Sequence, residues 1–106
     1  MTTSVIDNPD AKRYEVVFDG EIAGWADYER LGPVLALTHT EIGEAYGGKG
    51  LARVLATGAL DDARSRSLGV LPFCSFICGF VKKNPEYVPL VPSWAREHFE
   101  FGPAPS

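Results

Sequence analysis

A single compact α/β domain is the fold that this chain of 106 residues predicts. Three observations carry the prediction. Short runs rich in Tyr, Val, Phe and Leu alternate with turn signals in the N-terminal part, a glycine-rich stretch then opens a long amphipathic helix, and an apolar run after the helix reads as a buried strand. With 45% hydrophobic residues the chain can bury one core, and it is too short for two ordinary domains.

In order, residues 1–12 are polar, contain Asn8-Pro9-Asp10, and are expected to form a flexible arm. Arg13 to Phe18 carries the Tyr, Val and Phe of a first strand. Asp19-Gly20 supplies a dipeptide that tolerates positive φ, so Glu21 to Tyr28 should fold back as a hairpin partner. Leu31-Gly32-Pro33 marks the next turn, and Val34 to Glu41 is the third strand. Unbroken alternation along it puts Leu35, Leu37, His39 and Glu41 on one face.

From about Gly50 to Ser67 the pattern becomes helical: Leu51, Ala52, Leu55, Ala56, Ala59, Leu60 and Ala63 fall on one half-circle, opposite Arg53, Thr57, Asp61 and Arg64. Alanines on the apolar side allow close approach to a sheet. Val70 to Ile77 then reads as a fourth strand, and the intervening helix lets it run parallel to the third as a right-handed crossover. The domain proper is expected over 13–91. Residues 92–106 form an extension packing on it, with Ser93 capping a brief helix whose Trp94, His98 and Phe101 share one side, followed by a frayed end from Gly102 to Ser106. That side can pack on the sheet, line an acceptor pocket or make a homodimer contact.

A net charge of −4 and a pI near 5.0 argue against a protein that coats nucleic acid or an anionic membrane. No apolar run has the length of a membrane span, and Met1 to Asp10 lacks the pattern of a leader, so a cytoplasmic location is expected. Cys74 and Cys78 are too few for a disulfide framework. On one extended strand their Cα atoms stand about 13 Å apart, against a limit of roughly 7 Å for a bridge. Two cysteines and two distant histidines do not show metal-ligand spacing.

The chemistry points to the stretch from Thr38 to Arg53, where a strand feeds Gly47, Gly48, Lys49 and Gly50 into the helix start. Amides left without partners there, beside the positive end of the helix dipole, make a cradle for an anion such as phosphate. Lys49 and Arg53 occupy an end where the dipole disfavours cations, and an incoming anion explains them. The nucleotide-hydrolase loop is excluded because Gly50 stands where Ser or Thr must ligate magnesium. The dinucleotide fingerprint is excluded because Arg53 stands at its third glycine and no acidic ribose partner follows.

What remains resembles the acetyl-CoA loop of the GCN5-related N-acetyltransferases: Gln or Arg, two residues, Gly, one residue, then Gly or Ala. Gly50 and Ala52 fill the two small positions, and Gly47 replaces the Gln or Arg. The run from His39-Thr40-Glu41 through the helix to Pro72-Phe73-Cys74-Ser75-Phe76 and Lys83-Asn84-Pro85-Glu86-Tyr87 looks like the small YjdJ-like or NATD1-like branch, over about Tyr14 to Val91.

The resemblance implies antiparallel strands leading to a parallel pair splayed around coenzyme A, and transfer of an acetyl group from acetyl-CoA to a primary amine acceptor. The backbone of Thr40, Glu41 and Ile42 would pair with the pantetheine amides, and the amides of Gly47, Gly48, Lys49, Gly50, Leu51, Ala52 and Arg53 would hold the diphosphate. A short helix from Cys78 to Lys83 would place Phe80 beside the pantetheine and Lys83 near the phosphates, Lys82-Lys83 reading equally as an exposed pair. Val81 stands where many relatives carry a tyrosine that protonates the departing thiolate. Cys74 is the candidate for that proton, or for direct attack on the thioester, and is also a residue type often simply buried. His39 or Glu41 could accept the ammonium proton of the acceptor. The competing function is a non-catalytic acyl-CoA-binding or protein-interaction module.

Overall fold

The computed structural model describes residues 2–101. Five strands form one sheet in the order β1 (Thr3–Asn8), β2 (Arg13–Phe18), β3 (Glu21–Leu31), β4 (Val34–Ile42) and β5 (Gly69–Pro72). Neighbours are antiparallel except β4 and β5, which run parallel because α1 (Leu51–Ser65) connects them. Then follow α2 (Ser75–Lys83) and α3 (Ser93–Arg96). Asp19 and Gly20 both take positive φ, 49° and 86°, as a two-residue hairpin requires.

The helix stripe packs as the pattern predicts. Leu55, Ala56, Ala59, Leu60 and Ala63 are fully buried against the sheet, with Tyr14, Val16, Ala26, Leu35 and Leu37 beneath them. Ile77, Phe80 and Val81 of α2 join the same core. On the opposite face a smaller cluster forms where the chain after α2 covers β4 and β5: Ala36 and Leu71 meet Val91, Ala95 and Phe99. A Cβ on Gly69 would lie 3.1 Å from Pro92, so glycine lets this segment sit close.

Three expectations are corrected. Residues 3–8 are not a flexible arm but β1, paired with β2 from Thr3–Phe18 to Asn8–Arg13. Its Val5 meets α1 at Gly58, where a Cβ would come within 2.6 Å of the valine Cβ, and its Asp7 accepts from Tyr28 Oη at 2.6 Å. The inward positions are thus one apolar and one acidic residue, which is why the segment reads as polar.

The fourth strand ends at Pro72, not Ile77. Phe73 turns away, and residues 75–83 form a helix whose N-cap is Cys74. Cys74 and Cys78 are therefore one helical turn apart on α2, both as free thiols. In the extension, Ala95 and Phe99 pack inward and Trp94 and His98 face out; Pro92, not Ser93, is the N-cap. The expected frayed end at Gly102 to Ser106 lies outside the described residues.

At the end of the sheet near the α1 C-terminus, Tyr14 Oη donates to Asp62 Oδ2 at 2.6 Å, and Arg66 bridges Asp62 and Asp7 at 3.1 Å each. Burial first, then hydrogen bonds to these carboxylates, pushes the Tyr14 and Tyr28 phenols well above the ordinary tyrosine range. The network joins three strands to α1 and leaves the other helix end free.

Candidate functional site

The sheet opens between β4 and β5. A bulge inserts Thr38 into β4, so Tyr28 pairs with Leu37 but Asp27 pairs with His39. On the β5 side the last parallel pair is Leu37 with Pro72, and the amide of Cys74 makes one more bond to Leu37 O at 2.8 Å before α2 leads away. Among the described residues, the edge of β4 facing away from β3 therefore has no strand beside it from His39 to Ile42.

The bulge also reverses which side chains point where. Thr40 and Ile42 stand opposite Ala26 and Gly24 on the α1 face, while His39 and Glu41 stand opposite Asp27 and Trp25 on the other. The expectation that His39 and Glu41 share a face with Leu35 and Leu37 is thus overturned. The two remain together: His39 Nε2 is 3.8 Å from Glu41 Oε2, and both are exposed.

The loop after β4 is pinned at its root. Gly43 donates to Ala23 O at 2.8 Å, residues 44–46 make a 3₁₀ turn, and Tyr46 sets its ring edge-on to Phe18 while its hydroxyl donates to Glu21 Oε2 at 3.1 Å. Gly48 and Gly50 then adopt left-handed φ of 78° and 71°, a conformation that costs other residues about 1–2 kcal/mol. Gly50 is the N-cap of α1 and offers no side-chain acceptor; the first intrahelical bond is Val54 N–H to Gly50 O. The amides of Leu51, Ala52 and Arg53 are accordingly without helical partners. A Cβ on Gly48 or Gly50 would meet nothing within 4 Å, so open space lies before them. That combination fits an oxyanion group.

Two loop residues depart from expectation. The Gly47 amide closes the 3₁₀ turn on Glu44 O at 3.3 Å and is not free for a ligand. Lys49 places its ammonium 5.4 Å from the centre of the Phe18 ring.

Arg53 is the cation at the helix start that faces a groove. It lines a cavity of 610 Å³ with Ser75, Phe76, Gly79, Phe80, Lys83 and Asn84, so α1 and α2 bring together the expected Arg53, Phe80 and Lys83. Gly50, Arg53, Phe80 and Asn84 also border a neighbouring cavity of 780 Å³ that reaches β1. Ser75, Phe76, Gly79 and Asn84 were not among the site residues expected from the sequence. A glycine inside a helix was the available signal for Gly79.

Cys74 is buried just before Ser75, its thiol donating to Thr40 Oγ1 at 3.3 Å, and it is not among the residues lining either cavity. It stands on the α1 face, so the sheet edge separates it from His39 and Glu41. Val81 is fully buried in the core and presents nothing to the groove. Tyr87 is turned to α1, where its hydroxyl donates to Asp61 Oδ1 at 2.9 Å; burial and this bond raise its pKa.

Comparison with known proteins agrees with this architecture. Residues 13–90 match the family described as GCN5-related N-acetyl-transferase. Among curated proteins, 59 residues are 42% identical to Protein NATD1 of Bos taurus and 41% identical to Protein NATD1 of Homo sapiens, each alignment covering 55% of this chain and 52% of the relative. The matched part thus spans about half the length of those relatives. A GCN5-like protein from Staphylococcus aureus, solved by NMR, superposes with a TM-score of 0.63 at 16% identity, over 84% of this chain and 87% of the other.

Proposed function

Because this chain belongs to the GCN5-related N-acetyltransferase family, we propose that it transfers an acetyl group from acetyl-CoA to a primary amine. The observation that carries the reading is the groove between α1 and α2, where Arg53 at the uncapped start of α1 meets Phe80 and Lys83 of α2. Acetyl-CoA, when bound, would supply an acetyl group already activated as a thioester.

The rest is done by the chain. Leu51, Ala52 and Arg53 would hold the diphosphate on their amides, aided by the helix dipole. Arg53 and Lys83 would add charge, Phe80 would flank the pantetheine, and the backbone from Thr40 to Ile42 would hydrogen-bond its amides. His39 or Glu41 accepts the acceptor's ammonium proton from the far face, since only a neutral amine attacks a thioester. Cys74, linked to Thr40, donates a proton to the departing sulfur. Direct attack by the amine needs no covalent enzyme species.

The second reading is a binding module with the same fold, favoured by one observation: Val81, at the position where the resemblance leads one to expect a tyrosine, is sealed in the core. Calorimetry with coenzyme A and release of free thiol from acetyl-CoA in the presence of amines decide between them. Tight binding with no thiol release from any amine leaves the module; no binding by a folded protein removes the acetyl-transfer reading and the acyl-CoA-binding form of the module.

A further inference from the structure

We propose that the C-terminal segment builds the pocket for the non-reacting part of the acceptor, and that the acceptor is a small primary amine carried on one flat, apolar or aromatic body; this rests on the acetyl-transfer reading above. On the face of the sheet away from α1, a cavity of 320 Å³ is lined by Leu71, Phe73, Trp94, Ala95, His98 and Phe99. Apart from the His98 ring and the indole nitrogen of Trp94, that lining offers no polar side-chain atom, and none of it is Lys or Arg.

The rings are left open by the fold. Ala95 and Phe99 are buried against Leu71 and Ala36, whereas Trp94 is 72% exposed and Phe73 is 52% exposed. Phe73 meets Phe99 at 5.2 Å and 70°, and His98 meets Phe99 at 4.8 Å and 89°. Edge-to-face packing of this kind holds rings apart at angles, leaving faces and edges that another ring can complete.

Position ties the pocket to the reaction. Phe73 directly follows Pro72, and His39 lies two residues past Leu37, the last parallel pair of the sheet. Phe73 packs on the cluster away from α1, and the bulge turns His39 and Glu41 to that same face. An apolar wall and a carboxylate–imidazole pair therefore flank one side of the splay. An ammonium suits the pair and the acidic chain; an anionic body meets no cation in the lining. The volume lies at the small end of ligand pockets, roughly 300–1,000 Å³, which suits one ring and not a folded peptide.

The test uses 2-phenylethylamine against ethylamine, two primary amines that differ by the ring. Full burial of such a ring contributes about 1.5–3 kcal/mol, so kcat/KM should favour the phenyl compound by roughly tenfold or more. Trp94→Ala should bring that ratio towards one, while Ile22→Ala, an exposed residue elsewhere on the sheet, should leave it as it was. In a Trp25→Phe background, Trp94 is the remaining tryptophan, and its emission should change saturably with 2-phenylethylamine at saturating coenzyme A.

Turnover with equal preference for both amines, or a ratio untouched by Trp94→Ala, overturns the pocket and spares the acetyl-transfer reading. Absence of coenzyme A binding in calorimetry overturns both. If coenzyme A binds but no amine turns over, the acceptor role falls with the acetyl-transfer reading, whatever the emission titration shows; with turnover, a saturable response supports the pocket and a flat one removes it.

Discussion

The Cys74 thiol donates to Thr40 Oγ1 across 3.3 Å, joining the N-cap of α2 to β4 just past its bulge. This bond crosses the place where the two parallel strands part. It puts a dissociable proton beside the open strand edge, on the side of the sheet that also carries Phe80.

If that proton goes to the departing sulfur, Cys74→Ala should lower kcat by about a hundredfold, the low end of what a positioned acid contributes. Coenzyme A affinity should hold, because the diphosphate contacts are elsewhere. Thr40→Val, which removes the hydroxyl acceptor but keeps the shape, should shift kcat in the same direction by less. Steady-state thiol release paired with calorimetry measures both. An unchanged kcat in Cys74→Ala would make the residue a packing element.

The helix start makes a separate prediction. Arg53→Ala should weaken coenzyme A binding by about tenfold, the loss of roughly 1.4 kcal/mol from a charge-assisted contact, and the remaining affinity should depend less on salt. Gly50→Ala combines a left-handed φ of 71° with a methyl in the open space of the cradle. Its affinity should fall further than its stability, which calorimetry and urea unfolding report independently. Equal affinity in Arg53→Ala would displace the phosphate site from α1.

How far these features were legible depends on local redundancy. The α1 stripe was readable because Leu55, Ala56, Ala59, Leu60 and Ala63 all repeat one period, and Asp19-Gly20 because positive φ is tolerated by few residue pairs. The bulge was not readable: Thr38 looks like any strand residue, yet its insertion moves His39 and Glu41 to the opposite face. β1 escaped because half of its inward pattern is Asp7, apolar in no scale and buried only through Tyr28 and Arg66. In the run from Val70 to Ile77 a strand and a helix share one apolar composition, and Pro72 alone marked the junction. The outward turn of Trp94 followed from tertiary packing of Ala95 and Phe99 that no short period encodes.

The tyrosine network should give the protein an alkaline limit. Tyr14 and Tyr28 have raised pKa values, chiefly from burial and then from Asp62 and Asp7. Each phenol therefore favours folding while protonated in both states, so its contribution is complete below the unfolded value near pH 10 and is lost as pH rises above it. Urea unfolding midpoints should be level between about pH 8 and pH 9.5, then fall. Tyr14→Phe should cost about 1 kcal/mol at neutral pH and make the fall shallower. A midpoint unaffected by pH to 11 or so would show that the phenols carry no such linkage.

Two glycines in helices should respond to alanine with opposite signs. Alanine gains about 0.8–1 kcal/mol over glycine in a helix interior. At Gly58 the new methyl would sit 2.6 Å from Val5 Cβ and 2.7 Å from its Cγ2, and both belong to a strand whose position is fixed by pairing to β2. Overpacking of this kind costs about 1–3 kcal/mol, so the clash outweighs the propensity and Gly58→Ala should be destabilising. At Gly79 a methyl meets nothing within 4 Å, so the propensity gain stands alone and Gly79→Ala should raise the melting temperature. Adding Val5→Ala to Gly58→Ala removes the crowding branches and should recover part of the loss. If Gly58→Ala instead proves as stabilising as Gly79→Ala, β1 does not lie on α1 in solution, and the N-terminal strand is held by its ladder to β2 alone.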